Sequence, residues 1–268
     1  MLTSSFVLLK GVGPGTERRL WQDGIIDWET FMASAAVPGL SSARKTWYDQ
    51  DLATAASSLR SGDASFFGQC LKSRDHWRLY QTFRSRTLYL DIETTGTSAH
   101  DGHVTVVGLH RHGQFTSLVR GDSLSESRLE AELERTDLIV TFFGSGFDIP
   151  FLQRSFPRLD FKKPHFDLCF AARRLGLHGG LKSIERQLDI VRDPELAGLD
   201  GWDAVRLWHQ WRRGDEAALD LLLRYNAADT QNLEPLADWA FDQLVLRYGP
   251  PSVGAATLPP PTILLQTS

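Results

Sequence analysis

The spacing of apolar residues changes at about residue 87. Residues 1–80 alternate short apolar clusters with polar and glycine positions, a pattern typical of short helices and loops. Thr87–Ile92 is instead a short apolar run, as expected for a strand inside a sheet. Val104–His110 and Gln114–Val119 are two further β-like runs. They flank His112-Gly113, so this stretch is predicted to form a hairpin.

Helices and strands alternate over the rest of the chain. Ser125–Arg135 has helical periodicity, and the apolar run Leu138–Phe143 predicts another buried strand. A helix is predicted from about Ile149, then a short strand near Phe166, and mostly helix over Leu168–Leu246. The resulting order β-β-β-α-β-α-β-α predicts an α/β fold with a mixed five-stranded sheet flanked by helices.

Length and composition divide the chain into three parts. A chain of 268 residues can hold one large α/β domain with a smaller neighbour. We therefore predict a small helical region over residues 1–80 and the main domain over residues 81–248. Residues 249–268 are rich in Pro, Ala and Thr, which favours a disordered tail.

The cysteines and the N-terminus favour a soluble protein of the cytoplasm. Cys70 and Cys169 lie far apart and form no C-x-x-C pair, which suits a reducing compartment and argues against a thiolate zinc site. Phe6–Leu9 is too short to be the apolar core of a signal peptide. No run approaches the ~20 apolar residues of a membrane helix, so no membrane partner is expected.

A pair of carboxylates closes the first predicted strand, in the sequence D-I-E-T-T-G from Asp91 to Gly96. Because side chains alternate along a strand, Asp91 and Glu93 are expected on one face and Ile92 on the other. Their Cα atoms would lie roughly 6–7 Å apart, which allows both carboxylates to reach one cation. Oxygen ligands favour Mg²⁺ or Mn²⁺ over zinc. The alternative is a strand end that meets solvent.

Two further acids follow at positions where the chain should return to the same edge. Asp148 comes after a predicted strand and two glycines, at the start of a predicted helix, where a helix N-cap is the alternative role. Tyr225 and Asp229 are four residues apart, so on a helix they share one face. Their alternative is a core tyrosine beside an exposed acid.

Together the three motifs resemble those of the DnaQ-like, or DEDD, exonuclease superfamily. The matching text is D-I-E-T-T-G, then F-x-x-x-F-D-x-P-F-L, then Y-N-x-x-D-T, in the same order as in that superfamily. Tyr225 stands four residues before Asp229, as in the tyrosine branch, and Arg224 stands where the other branch has histidine. More narrowly, the chain is similar to YprB-type ribonuclease-H-like proteins, through the stretches 165–168, 180–185 and 206–226.

The resemblance implies a ribonuclease-H-like fold and a 3′→5′ exonuclease that uses two divalent cations, Mg²⁺ or Mn²⁺. By resemblance, Asp91 would bridge the two cations. Glu93 and Asp229 would hold the cation that carries the attacking water, and Asp148 would act on the second cation mainly through water. Tyr225 would orient the attacking water rather than remove its proton, because a phenol with a pKa near 10 stays protonated at neutral pH.

Four nearby residues are candidates for substrate binding. Thr94 and Thr95 would touch the terminal nucleotide by resemblance. Phe147 would stack on a base or fill the core. Lys182, at a predicted helix start, would meet a substrate phosphate or remain a surface lysine. Asp167 is predicted to cap a helix.

A glycine turn near the N-terminus offers a second candidate site. Leu9–Thr16, with Gly11 and Gly13, resembles the hairpin of a helix-hairpin-helix motif, whose backbone N–H groups meet a DNA phosphate. The first helix of that motif would be short or absent here. A purely structural turn is the alternative.

The predicted function is a metal-dependent 3′→5′ exonuclease that acts on single-stranded DNA or RNA ends, with DNA favoured because of the hairpin. The net charge of −4 does not exclude such a substrate, because bound cations are part of a carboxylate site. A catalytically inactive nucleic-acid-binding module and a structure-specific endonuclease are the alternatives.

Overall fold

A computed structural model describes residues 1–98 and 102–251. The predicted tail therefore lies almost wholly outside the described residues. The helices are α1 (Pro14–Gln22), α2 (Trp28–Ala33), α3 (Ser42–Ser61), α4 (Ala64–Cys70), α5 (Tyr80–Phe83), α6 (Glu126–Glu134), α7 (Asp148–Ser155), α8 (Leu168–Leu175), α9 (Leu181–Gln187), α10 (Gly201–Trp211), α11 (Glu216–Gln231) and α12 (Leu233–Tyr248). The strands are β1 (Thr87–Thr94), β2 (Val104–Arg111), β3 (Gln114–Val119), β4 (Leu138–Thr141) and β5 (His165–Asp167). Short 3-10 helices span Leu2–Ser4, Ser73–Leu79 and Arg84–Arg86.

The five strands form one mixed sheet in the order β3-β2-β1-β4-β5, as predicted. β1 and β2 pair antiparallel, as do β2 and β3, while β4 runs parallel to both β1 and β5. The predicted hairpin forms between β2 and β3. His112 and Gly113 there both adopt positive φ values, 51° and 71°, which suits a tight turn between twisted strands.

The two faces of the sheet pack against different helices. Leu88, Leu90 and Ile92 of β1 bury one face against α6 and α7. Tyr89, on the opposite face, packs against the layer that contains α8 and α12. Asp91 and Glu93 share the parity of Tyr89, so the alternation predicted for this strand is confirmed and both acids point away from the purely apolar layer.

The N-terminal helices share a hydrophobic core with the sheet domain. One cluster contains Phe6, Trp28 and Phe67 together with Phe166 and Leu244. A buried ion pair lies inside it, because Arg78 donates to both carboxylate oxygens of Glu17, at 2.9 and 2.8 Å. Glu17 also accepts the backbone N–H groups of Phe6 and Val7. The predicted boundary at residue 80 remains a prediction.

Two elements differ from their predicted bounds. β4 ends at Thr141 rather than Phe143, because Phe143 adopts a left-handed φ of 65° that no strand continues. Residues 188–200 form a loop between α9 and α10, where helix was predicted. Asp189 has a φ of 54° there, and Pro194 has no N–H to donate. Within the described residues, no helix is both long and apolar enough to cross a membrane.

Candidate active site

The four acids of the sequence motifs and Tyr225 line one cleft of about 420 Å³ at the carboxyl end of the central strand β1. Asp91 and Glu93 come from the end of β1, and Asp148 is the first residue of α7. Asp229 and Tyr225 lie one turn apart on α11, which packs across β1 and β2. We call this the acidic cleft. The three sequence motifs, which are spread from residue 91 to residue 229, therefore meet at one place.

Three of the carboxylates are close enough to share a cation. Asp91, Glu93 and Asp229 each offer one oxygen, and these oxygens lie within 4.8 Å of one another. Glu93 and Asp229 are buried. A buried set of oxygen ligands fits a hard divalent cation such as Mg²⁺ or Mn²⁺, whereas carboxylates left without one repel each other.

The pKa values of these acids are raised chiefly by burial, and repulsion between neighbouring carboxylates adds to the rise. Burial, and then the charges of Glu93, Asp148 and Asp229, raise the pKa of Asp91 well above its usual value. Burial and the charge of Asp229 do the same to the pKa of Glu93. Burial also raises the pKa of Asp229, although the positive charges of Arg192 and Lys182 oppose the rise. A bound cation would oppose these shifts, because its positive charge favours the ionised carboxylates.

Asp148 is held slightly apart from the other three acids. Its Oδ1 accepts the backbone N–H of Ile92 at 3.2 Å, which ties the start of α7 to β1. Burial raises the pKa of Asp148 to about 7, even though backbone N–H groups favour its charged form. Asp148 belongs to the helix itself, so its alternative role as the N-cap does not apply.

The loop before α7 contains two glycines, Gly144 and Gly146, at positions where close contacts leave no room for a side chain. A Cβ at Gly144 would lie 2.2 Å from Thr141 Oγ1, and one at Gly146 would lie 2.7 Å from the Phe143 ring. Asp167 caps α8, as predicted, by accepting the N–H of Cys169. Its carboxylate also accepts the N–H groups of Phe143 and Ser145, at 2.9 and 3.1 Å, and so braces the loop that carries Asp148.

Asn226 is a site residue to which the sequence motifs assign no role. Its side-chain N–H₂ donates to Asp91 Oδ2 at 2.9 Å, which orients that carboxylate. Gly108 of β2 pairs with Asp91 and makes this contact possible, because a Cβ there would lie 2.4 Å from Asn226 Oδ1 and 2.2 Å from Thr230 Oγ1. A glycine inside a strand is the sequence signal for such a close approach.

A second unpredicted residue, Arg192, comes from the loop between α9 and α10. Its guanidinium lies 2.5 Å from Asp229 Oδ1 and donates to both oxygens of the buried Glu185. Asn232 also donates to Glu185, at 2.9 Å. Arg192 therefore holds Asp229 through a buried ionic chain. No local motif marks this arginine, because it reaches the site from a loop.

Lys182 contacts Tyr225. Its ammonium group donates to Tyr225 Oη at 3.0 Å and to the backbone oxygen of Leu199, and it lies 4.3 Å from the centre of the tyrosine ring. Burial, followed by the charges of Asp229, Glu93 and Asp91, raises the pKa of Tyr225, so the phenol is protonated at neutral pH. The hydroxyl accepts from Lys182, and a hydrogen bond to the Asp229 carboxylate also contributes to the raised pKa.

The other predicted site residues divide between the cleft and the rest of the molecule. Thr94 and Phe147 line the acidic cleft. Thr95 does not, because its hydroxyl accepts the N–H of His103. Gly11 and Gly13 lie in the N-terminal region, where Gly13 caps α1 and Gly11 has a φ of 87°, so both interpretations of that turn stand. Trp202, which is 67% exposed, lines the cleft although the sequence did not single it out.

A mixed five-stranded sheet with carboxylates clustered at the end of its central strand characterises this protein. Residues 88–241 match the family model of the RNase H superfamily, which is more than half of the chain. The chain therefore belongs to the RNase H superfamily, and the predicted fold is confirmed. No curated protein matches the chain.

Several solved structures are similar to the chain at low identity. Brucella melitensis NrnC with bound Mg²⁺ is 20% identical over 63% of this chain and 78% of NrnC, with a TM-score of 0.47. The Aedes aegypti Nibbler EXO domain is 17% identical over 65% and 87%, also with a TM-score of 0.47. The family B DNA polymerase of Pyrobaculum calidifontis is 16% identical over 57% of this chain, with a TM-score of 0.49, and the match spans 24% of the polymerase. At such values no activity follows from the likeness.

Proposed function

We propose that this protein is a metal-dependent 3′→5′ exonuclease that removes nucleotides from single-stranded nucleic-acid ends. The observation that carries the proposal is the meeting of three carboxylate oxygens within 4.8 Å in a cleft that also contains Tyr225. The 3′→5′ polarity rests on the resemblance of the three motifs to the tyrosine branch of the DnaQ-like superfamily. DNA is the favoured substrate, on the basis of the N-terminal hairpin.

The acids of the cleft would hold two divalent cations. Asp91 would contact both, a role supported by the charges of Glu93, Asp148 and Asp229, which all act on it, and by the hydrogen bond from Asn226 that orients it. Glu93 and Asp229 would complete one cation site and Asp148 would contribute to the other. When bound, the cations would activate a water molecule and stabilise charge on the phosphate and on the leaving oxygen. Arg192 would keep Asp229 in position before and after each turnover.

Tyr225 would orient the attacking water by donating a hydrogen bond to it. The phenol is suited to this role because Lys182 donates to its oxygen, so that its proton is the group available for donation within the cleft, to Asp229 or to a water molecule beside it. Proton abstraction by Tyr225 is not part of this mechanism, because the raised pKa keeps the hydroxyl protonated. Thr94 and Phe147 would contact the terminal nucleotide from the walls of the cleft.

The test is an assay of the purified protein with Mn²⁺ or Mg²⁺ on single-stranded DNA and RNA of one sequence, labelled at the 5′ end or the 3′ end. The proposal expects a ladder that shortens one nucleotide at a time from the 5′-labelled substrate, and immediate release of the label from the 3′-labelled one. Fragments that arise at internal positions would establish the endonuclease instead. Tight binding without any hydrolysis in either metal would establish the inactive binding module.

Tyr225→Phe should lower the turnover number about 10- to 100-fold and leave metal affinity near the wild-type value. The substitution removes only the hydroxyl and keeps the ring that Lys182 covers. Single-turnover hydrolysis gives the rate, and calorimetric titration with Mn²⁺ gives the affinity. Tyr48→Phe, which removes a hydroxyl that donates to Lys10 in the N-terminal region, is the matched control. A Tyr225→Phe protein with full turnover would exclude a role for the hydroxyl.

A further inference from the structure

A second cavity, of about 620 Å³, opens beside the acidic cleft between the 3-10 helix Ser73–Leu79 and α8. Trp77, Phe166 and Leu244 are among its apolar lining residues. Four cationic side chains also line it: Arg74, Lys163, Arg173 and Arg174. We call this cavity the basic groove.

Acids balance only part of the charge of the basic groove, because Arg74 pairs with Asp75 at 3.4 Å. Asp167 is the only acid among its described lining residues, and both of its oxygens already accept hydrogen bonds from Phe143, Ser145 and Cys169. Within residues 1–98 and 102–251, Lys163 and Arg173 make no ion pair. A protein with a formal net charge of −4 thus concentrates unpaired positive charge next to its site. An anionic ligand is the natural complement.

Two exposed phenylalanines connect the basic groove to the acidic cleft. Phe143 lines the cleft and is 43% exposed, and Phe170 lines the groove and is 45% exposed. Their ring centres are 6.2 Å apart, and the Arg173 guanidinium lies 5.6 Å from the centre of the Phe170 ring. Exposed aromatic rings beside cations form the surface on which unpaired bases stack.

The backbone conformation of Phe143 is unfavourable, and the half-exposed ring gains too little from burial to offset it. Its φ of 65° is unfavourable for a bulky residue, and the backbone is held there by the Asp167 carboxylate. Strained residues that are kept exposed cluster at ligand sites. A ring held at the border of the two cavities is placed to contact a ligand that passes from one to the other.

We propose that the basic groove binds the single-stranded nucleic acid that extends from the acidic cleft. Lys163 and Arg173 contact its phosphates, and the pair Phe143 and Phe170 stacks on an unpaired base between them. The inference rests on the proposed function for the identity of the acidic cleft, and it adds a binding site outside that cleft. Because stacking needs an exposed base face, the groove takes a single strand rather than a duplex.

The binding test uses the double variant Lys163→Ala/Arg173→Ala and a fluorescent 12-nucleotide single-stranded DNA, in chelator so that no hydrolysis occurs. The matched control is Lys162→Ala/Arg213→Ala, which removes the same charge from two exposed residues outside the groove. Fluorescence anisotropy should show affinity reduced about tenfold or more for the groove variant and little change for the control. The salt dependence, as the slope of log K against log salt, should become shallower by about 1.4 for two lost phosphate contacts.

A separate variant tests stacking. Phe170→Ala should weaken binding of the 12-nucleotide strand about tenfold, as expected for one lost base contact, and should leave the salt slope as in the wild type. Equal effects in the groove variant and the charge-matched control would overturn the proposal, as would failure of the wild type to bind the strand. A blunt duplex bound as tightly as the single strand, and weakened equally by the groove variant, would also overturn it.

Hydrolysis separates this proposal from the proposed function. In Mn²⁺, the ratio of KM for the 12-nucleotide strand to KM for a dinucleotide should rise about tenfold in the groove variant, because a dinucleotide is too short to reach the groove. A wild type that binds the strand as expected but hydrolyses nothing would refute the exonuclease and leave the groove in place. If the wild type hydrolyses both substrates and the ratio of the two KM values is the same in all variants, the proposed binding role of the basic groove is refuted and the exonuclease is not.

Discussion

Replacement of Asp91 by alanine is expected to reduce metal-dependent hydrolysis at least about a hundredfold, to the background of the assay. Burial raises the pKa of Asp91, and the charges of Glu93, Asp148 and Asp229 add to the rise, so Asp91 interacts with each of the other three acids. Its loss removes one ligand of each proposed cation site. The measurement is the rate of release of the terminal nucleotide in saturating Mn²⁺.

Asp122→Ala provides the matched control, because Asp122 is an exposed acid outside the acidic cleft. The control protein should retain the wild-type rate. An Asp91→Ala protein that is folded and turns over at the wild-type rate would show that the acidic cleft is not the catalytic site.

Asp148→Asn is expected to abolish activity and yet to melt higher than the wild type when no metal is present. The substitution removes one charge at nearly constant shape, and an amide oxygen at this position can still accept the Ile92 N–H. The folded protein raises the pKa of Asp148 to about 7, some three units above that of an exposed aspartate. This difference corresponds to a destabilisation on the order of 4 kcal/mol at pH 8.

The pH dependence of that destabilisation has a fixed direction. An acid whose folded pKa is raised lowers the free energy of unfolding as pH climbs from about 4 to about 7, and the loss is complete above the folded pKa. Thermal unfolding in chelator should therefore give similar melting temperatures for both proteins near pH 4. At pH 8 the variant should melt about 5 °C or more above the wild type.

Added Mn²⁺ should narrow the difference in melting temperature between the two proteins. A ligand that binds only the folded state stabilises it by about 2.7 kcal/mol at a hundredfold excess over its Kd. The wild type should receive this gain in full and the variant less, because it lacks one ligand. A variant that melts well below the wild type in chelator at pH 8 would show that Asp148 chiefly holds α7 in place. A wild type that gains nothing from Mn²⁺ would contradict the metal site.

The strands of the sheet, and the face on which each motif residue lies within its own element, were predictable because they depend on short-range patterns. Alternation along β1 put Asp91 and Glu93 on one face, and the four-residue spacing put Tyr225 beside Asp229. In both cases the repeat of side-chain directions within a single strand or helix decides which residues share a face. The meeting of the motifs followed from the resemblance, since no spacing within one element brings residue 91 next to residue 229.

The remaining site residues could not be predicted because tertiary packing places them. Arg192 reaches Asp229 from a loop that was predicted as helix, and Asn226 reaches Asp91 only because Gly108 lets α11 approach the sheet. Lys182 was expected to face a phosphate or solvent, whereas in the structure its ammonium group contacts Tyr225. Each of these contacts joins two elements whose relative position no local pattern encodes.

The buried pair of Glu17 and Arg78 has a consequence for how such a chain can be recombined. Each residue is the main partner of the other inside a shared core, and the further ion pair of Arg78 with Asp75 is longer, at 3.8 Å. A chain that inherits one residue without the other therefore carries a buried charge without its main partner, which costs about 3–5 kcal/mol. The N-terminal helices therefore cannot be exchanged between proteins independently of the sheet domain. A chimera that joins them to the sheet domain of a relative should fold only if it receives both halves of the pair, and homologues should gain or lose the two residues together.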